Sequence, residues 1–197
     1  MNNTLFAICI FLFTAFGCTH NRTERSTTFT EADTLTEKYL NLQDSILLAW
    51  NMMINDDNEK IKAMHNLLHE IQVGGEFDED QIESLSHRVE QLKKIRYTSK
   101  SMHNSDVVDE YDFASNFLVA ELIALAESHA SYSSNTTLQN LVEQIRTAEQ
   151  RIENYRINYD AIVLSYNKFL TDNKENLHEV DVAGTLEKKP VFQMASD

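Results

Sequence analysis

Glycine, proline and cysteine are scarce in this chain. Its 197 residues include four glycines, one proline and two cysteines, and neither glycine nor proline occurs between positions 76 and 183. An all-β fold needs a turn every few residues, and glycine and proline form many of those turns. Their scarcity excludes a β sandwich and predicts long, uninterrupted helices.

Basic residues are also few. The chain carries 17 Lys plus Arg against 31 Asp plus Glu, a formal net charge of −14, and its basic residues form no cluster. Nucleic acid and anionic lipid are therefore poor partners for the folded surface, because both are bound by concentrated positive charge.

An uncharged apolar run occupies residues 5–17 (LFAICIFLFTAFG) and ends directly before Cys18. It is shorter than the ~20 residues that span a bilayer, but it has the length of a signal-peptide core. Ala15, Gly17 and Cys18 resemble the lipobox of bacterial lipoproteins, in which the cysteine is acylated before cleavage. We predict a signal peptide over 1–17 and a flexible tether over 18–30 behind a lipidated Cys18. Ordinary secretion with a free Cys18 is the alternative.

Cysteine content agrees with export and lipidation. Cys9 would leave with the leader, so the mature chain would keep one cysteine and form no internal disulfide. The predicted location is the bacterial cell envelope, with the chain lipid-anchored to a membrane and facing the periplasm.

The remaining chain shows four amphipathic stretches, predicted as helices over 31–73, 79–103, 106–132 and from the cap Asn135 to about 172. Thr30 with Asp33 forms a capping box for the first, and Gly74-Gly75 ends it. The predicted fold is all-α: an elongated antiparallel four-helix bundle over 31–172, with long first and last helices. Residues 173–197 are predicted to be a loosely ordered tail, with Phe192 as the candidate docking residue.

Apolar residues at three-four spacing define the buried faces. In the last helix they are Leu138, Leu141, Ile145, Ala148, Ile152, Tyr155, Tyr159, Ile162, Tyr166 and Phe169. In the first helix the predicted inward residues are Leu47, Trp50, Ile54, Ile61, Met64, Leu68 and Ile71. Such stripes must pack against other helices to be stable.

The last helix carries a recognisable motif. The residues concerned are Ala148-Glu149-Gln150-Arg151-Ile152, then Arg156, Tyr159-Asp160, Val163 and Tyr166-Asn167. They resemble the signature of the LemA family, in which a TEnRI-type segment precedes two Tyr-Asn pairs. Trp50 with Asn66-Leu67-Leu68, and Lys189-Pro190 with Phe192, resemble further family segments, although His65 stands in place of the family's proline. The resemblance implies an all-helical bundle tethered to a bacterial membrane by its N-terminus, and it brings no catalytic residue.

No pattern of catalytic or metal-binding residues emerges. His65 and His69 lie one helical turn apart but lack the HExxH pattern, and the single ExxH, Glu175 to His178, lies in the tail. His129 is interpreted as a hydrogen-bonded core histidine. There is no glycine-rich phosphate loop and no nucleophile in a recognisable setting, so we predict a non-enzyme without metal or cofactor.

A polar flank runs beside the last helix's seam, formed by Glu149, Arg156, Asp160 and Asn167. It either sets helix register through contacts to a neighbouring helix or serves as a docking strip for another protein. Two functions follow from these alternatives. The first is a non-enzymatic, membrane-anchored envelope scaffold or adaptor that contacts an envelope protein or self-associates. The alternative is a helical binding module for a small ligand or metal.

Overall fold

The computed structural model describes residues 30–75, 77–177 and 186–192, and it contains no strand within those ranges. The elements are α1 (Glu31–Gly74), α2 (Glu79–Ile95), a 3-10 turn (Ser101–His103), α3 (Ser105–Ser128), α4 (Thr136–Asp172) and the short α5 (Lys174–Leu177). The predicted all-α class is confirmed.

The signal peptide, Cys18 and nearly all of the tether lie outside the described residues, so those features stay predictions. Within the described ranges, no helix combines the length and the apolar character needed to cross a bilayer.

Side-chain caps set the helix ends. The Thr30 hydroxyl accepts from the Asp33 backbone N–H at 3.1 Å, and the Asp33 carboxylate accepts from the Thr30 N–H at 2.9 Å, which confirms the capping box. Gly75 ends α1 in the left-handed region, at φ 68°. The α1 helix runs unbroken through His65, and Asn135 caps α4 as predicted.

The two long helices pair in antiparallel fashion. Lys38 lies over the Phe169 ring near one end, and Glu70 accepts from the Asn135 side chain near the other. With 44 and 37 residues, α1 and α4 are about 66 Å and 55 Å long at ~1.5 Å per residue. Helix α2 packs on α1 and on α3, and α3 also contacts α1 and α4.

Helix α4 buries most of its predicted seam, with Tyr155 and Ile162 only half-buried. The prediction for the start of α1 is wrong at Leu47, which is 57% exposed. The buried positions there are Ile46, Ala49 and Met53. Continued at three-four spacing, this face passes through Asp57 and Lys60, which are buried as well.

Two predicted helix ends are too late. Helix α2 ends at Ile95 instead of residue 103, because Arg96 is extended (φ −61°, ψ 132°) and directs its guanidinium toward α1. Helix α3 ends at Ser128 instead of residue 132, because His129 is extended in the same way. At both helix ends the extended residue, Arg96 or His129, turns its polar side chain toward the protein interior. This favours ending the helix there over continuing it.

Candidate functional site

A cluster of polar side chains lies in the core where α1 faces α3. Asp57, 3% exposed, accepts a hydrogen bond from the Tyr111 hydroxyl at 2.5 Å and one from Arg96 at 3.2 Å. Lys60, 4% exposed, lies 3.4 Å from Asp57 and donates to the Ser115 hydroxyl at 2.8 Å. Buried charge is costly unless it is paired, and these groups pair one another.

Burial also controls the titration of the tyrosines in this region. It raises the pKa of Tyr111, and the adjacent Asp57 carboxylate raises it further. Burial raises the pKa of Tyr97 to about 12, against the opposing effect of Arg156. Both phenols therefore remain protonated hydrogen-bond donors at neutral pH.

Arg156 connects this cluster to a second site. Its guanidinium donates to both Asp112 carboxylate oxygens, at 2.7 and 2.6 Å, and to the Tyr97 hydroxyl at 2.7 Å. Such a fork fixes the plane of the guanidinium as well as its position. On its other side, the group lies over the Phe192 ring, 4.9 Å from the centroid.

A cavity of about 490 Å³ opens between α1, α3 and α4. Its lining includes Lys60, Ser115 and Arg156 together with Asp112 and Glu149. Burial raises the pKa of the Glu149 carboxyl, and Lys60 partly offsets that effect. Charges of both signs line the cavity, so its lining suits a polar ligand.

The second site holds the chain's own segment 186–192 in a groove beside α4. The Asn167 side chain donates to the Lys189 carbonyl and accepts from the Lys189 N–H, both at 2.8 Å. Asp160 accepts from the Phe192 N–H at 2.7 Å, and the Tyr166 hydroxyl donates to the Glu187 carbonyl at 3.3 Å. Every one of these bonds is made to the backbone of the segment.

The Phe192 side chain fills an aromatic pocket at the end of this groove. Its ring stacks on Trp50 at 6.3 Å and meets the rings of Tyr97 and Tyr159 edge-on at 5.5 and 5.4 Å. Offset and edge-on ring pairs each contribute about 0.5–1.5 kcal/mol beyond the area they bury. We call Trp50, Tyr97, Tyr159, Asp160, Tyr166 and Asn167 the segment groove.

The four predicted flank residues are divided between the two sites. Glu149 lines the cavity, Arg156 joins both sites, and Asp160 and Asn167 bind the segment. One interpretation of the flank was contact to a neighbouring helix, and Arg156 makes such a contact through Asp112 of α3. Docking of another protein stays a prediction.

The histidines take separate positions. His65 Nε2 lies 2.9 Å from the Glu90 carboxylate, whereas His69 is exposed. His129 is buried at the end of α3 and hydrogen-bonds Ser131 through Nδ1. Among the described residues, no three His, Cys, Asp or Glu side chains converge as metal ligands.

Sequence reasoning missed most of the polar cluster. Tyr111 was predicted only as an inward-facing residue of the third helix, and Asp57, Arg96, Asp112 and Ser115 were not predicted at all, because their partners are distant in the chain. One signal was available: Asp57 and Lys60 complete the three-four spacing that joins Met53 to Met64 and Leu67.

Fold and site together define an all-helical protein that buries a polar cluster between α1 and α3 and binds its own segment 186–192 beside α4. The LemA family matches residues 64–197, and the chain therefore belongs to the LemA family. The match includes the α4 motif and the docked segment, while Trp50 lies upstream of it. Comparisons with curated proteins and with solved structures find no match.

Proposed function

We propose that this chain is a non-enzymatic, membrane-anchored scaffold or adaptor of the cell envelope that works by binding extended polypeptide in the segment groove. The observation that carries the proposal is the mode of binding seen for residues 186–192. Asn167 pairs with both backbone groups of Lys189, and one aromatic side chain fills a pocket. Backbone hydrogen bonds combined with a side-chain pocket are a common means of peptide recognition.

The pairing of the charged groups supports contact over catalysis. Asp57, Lys60, Arg96, Asp112 and Arg156 each have an opposite charge within 3.4 Å. A general acid or base needs a titrating group directed at a substrate, and these side chains are directed at one another.

The contact role is tested by photo-crosslinking in cells. A photoreactive residue replaces Leu47, which is exposed and lines a hollow of about 550 Å³ beside the segment. The matched control replaces Val73, exposed at the other end of α1. We expect discrete crosslinked products from position 47 only, and a lower yield when Asn167→Leu removes both backbone bonds. Equal yields from the two positions, or no product from either, would contradict the proposal.

The anchor is proposed from the apolar run that ends at Cys18. Each buried methylene contributes ~0.8 kcal/mol, so several acyl chains bind a membrane firmly, whereas one chain is marginal. Cys18→Ser should abolish fatty-acid labelling and leave the leader uncut. If the Cys18→Ser protein is processed at the same bond and fractionates with membranes as before, the lipid anchor is wrong.

The cavity of about 490 Å³ favours a second candidate function, a binding module for a small polar ligand. Lys60 and Arg156 would supply hydrogen-bond donors there, and Glu149 an acceptor. Native mass spectrometry of the full-length chain should then show a bound mass that Lys60→Met removes. A spectrum with the mass of the protein alone, in both variants, counts against this candidate.

A further inference from the structure

One arginine belongs to both candidate sites. Arg156 lines the cavity of about 490 Å³, and its guanidinium also lies over the ring of Phe192 in the docked segment, 4.9 Å from the centroid. Its two Nη groups donate to the Asp112 carboxylate, so this fork joins α4 to α3 along the wall of the cavity. A change in the position of the Arg156 side chain would therefore affect both sites.

The fork is the charged link between α3 and α4 at the cavity. Two other α3 side chains near the cavity bond to α1 instead. Among the described residues, the other ion pair between α3 and α4 is Glu127–Arg146, about four turns further along α3. The α3–α4 edge of the cavity is thus held by Arg156 and Asp112.

The segment keeps this fork in place. The side chains of Arg156 and Asp112 are 22% and 30% exposed, and ion pairs with such access to solvent contribute little while both side chains move freely. Here the Phe192 ring packs against the guanidinium, and the Tyr97 hydroxyl accepts from it at 2.7 Å. Loss of the ring would return the pair to a mobile, solvated state.

A buried donor on the same side chain favours opening. Nε of Arg156 is buried and has no hydrogen-bond acceptor within the described part of the chain. An unpaired buried N–H raises the free energy of the closed arrangement, and water reaching the group would remove that cost. Arg156 alone therefore holds the fork weakly, and the docked segment adds to its stability.

We propose that the docked segment 186–192 is a latch for the polar cavity. While Phe192 lies against Arg156, the fork to Asp112 holds the α3–α4 edge of the cavity closed. When the segment leaves the groove, Arg156 gains conformational freedom, the fork opens, and the cavity becomes accessible from that edge. This inference rests on the second candidate function and deepens it, because it assigns a control to the proposed ligand site.

A thiol introduced at position 115 measures the opening of the cavity. Ser115 lines the cavity but is only 2% exposed, and it lies one turn from Asp112 on α3. In the full-length Ser115→Cys protein, the rate of alkylation by N-ethylmaleimide is followed from the mass of the peptide that contains position 115. The peptide mass separates this thiol from those of Cys9 and Cys18.

Undocking of the segment should speed this alkylation. We expect Phe192→Ala to raise the rate by about tenfold or more through local opening. Asn167→Leu removes both backbone bonds to Lys189, about three turns from Arg156, and should have the same effect. The matched control is Lys188→Ala, which changes an exposed residue of the segment and should leave the rate unchanged. Unchanged rates in both Phe192→Ala and Asn167→Leu would overturn the latch.

A second thiol distinguishes a latch from general stabilisation of the fold. Ala126 is 0% exposed near the other end of α3, so Ala126→Cys reports loosening of the whole helix. A latch predicts that Phe192→Ala leaves the alkylation rate at position 126 unchanged. Equal acceleration at positions 115 and 126 would mean that the segment stabilises the entire fold, and the latch would be wrong.

A double variant tests whether the effect passes through Arg156. Asp112→Asn removes the negative charge from the fork, so it should speed alkylation at position 115 even with the segment docked. Adding Phe192→Ala should then bring no further acceleration, because both changes act on one contact. If the two accelerations multiply, Phe192 acts independently of the fork and the proposal is wrong.

The latch and the proposed functions fail separately. The thiol measurements need neither a partner protein nor a ligand, so their failure overturns the latch and leaves the crosslinking and native mass spectrometry results intact. Conversely, if native mass spectrometry shows no bound ligand, the second candidate function is wrong, whereas faster alkylation at position 115 would still establish that the segment controls the cavity.

Discussion

The two halves of the α1–α4 interface bury different kinds of side chain. Towards Gly74 the interface is apolar, and Met64, Leu67, Ile71, Leu138 and Ile145 are each 0% exposed. From Lys60 towards Thr30, polar groups are buried beside apolar Met53 and Val163: Tyr159, Asp160 and Tyr166 on α4, and Asp57 and Lys60 on α1, whose partners Tyr111 and Ser115 lie on α3. The first half stabilises the helix pair by removing apolar surface from water, whereas the second depends on specific partners and also forms both candidate sites.

The largest expected effect is in the apolar half. Ile145→Asp would bury a carboxylate among apolar side chains without a partner, and we expect a loss of more than about 4 kcal/mol in the free energy of unfolding. That is a large fraction of the ~5–15 kcal/mol by which a typical domain is stable. Thermal unfolding followed by circular dichroism measures the loss. The exposed α4 control Glu153→Ala should stay within ~0.5 kcal/mol, and equal melting temperatures would refute the assigned face.

Two adjacent aspartates test the polar half. Asp57→Ala would leave Lys60 buried without its counter-charge, and we expect a loss of about 3–5 kcal/mol. The neighbouring Asp56 pairs at 2.9 Å with Arg151, whose side chain is 46% exposed, so Asp56→Ala should cost only ~0.2–1 kcal/mol. Denaturant titration of both variants measures the two losses in the free energy of unfolding. Similar losses of stability in the two variants would mean that water reaches the polar cluster around Asp57.

The apolar half ends at Gly74, where the absence of a side chain leaves room for the His129 ring. A Cβ at Gly74 would collide with Nε2 of the buried His129 ring, so Gly74→Ala should cost about 1–3 kcal/mol despite the better helix propensity of alanine. In the double variant with His129→Ala, the two losses should be less than additive, because the collision is gone. If the two losses in the free energy of unfolding add strictly in the double-mutant cycle, the proposed collision is wrong.

The smallest effect concerns alkaline pH. The pKa of Tyr97 is about 12 in the folded protein, above the usual 10, because its phenol is buried. Its contribution to stability is thus complete below pH 10 and is lost as the pH rises towards 12, at up to about 1.4 kcal/mol per pH unit. Urea unfolding at pH 9 and pH 11 should show a smaller decline for Tyr97→Phe than for the wild type. An identical decline would mean that this phenol does not titrate with folding.

The apolar half was largely predictable from the sequence, whereas in the polar half the α4 residues were predicted and their long-range partners were not. Local features act over one or two turns, so Thr30, Asp33 and Asn135 could be identified as caps, and the α4 seam from its spacing. The polar cluster joins residues far apart in the chain, for example Asp57 with Tyr111. A search for an apolar stripe skips Asp57 and Lys60, and that omission placed Leu47 on the buried face. The early end of α2 has the same origin, because Arg96 leaves the helix to reach Asp57.

With the proposed lipid anchor at Cys18, the antiparallel pairing of α1 with α4 would also set the order of the two halves above the membrane. Thr30 begins α1 at the end where α4 finishes, so an anchor at Cys18 would hold that end nearest the lipid. Trp50 would then lie about 30 Å along the helix from Thr30, while the Gly74 end would project to about 66 Å. Residues 18–30 add at most roughly 40 Å of tether. The groove would consequently sample distances up to about 70 Å from the bilayer surface, within reach of neighbours anchored in the same leaflet, and the apolar half would extend further outward when the helices stand upright.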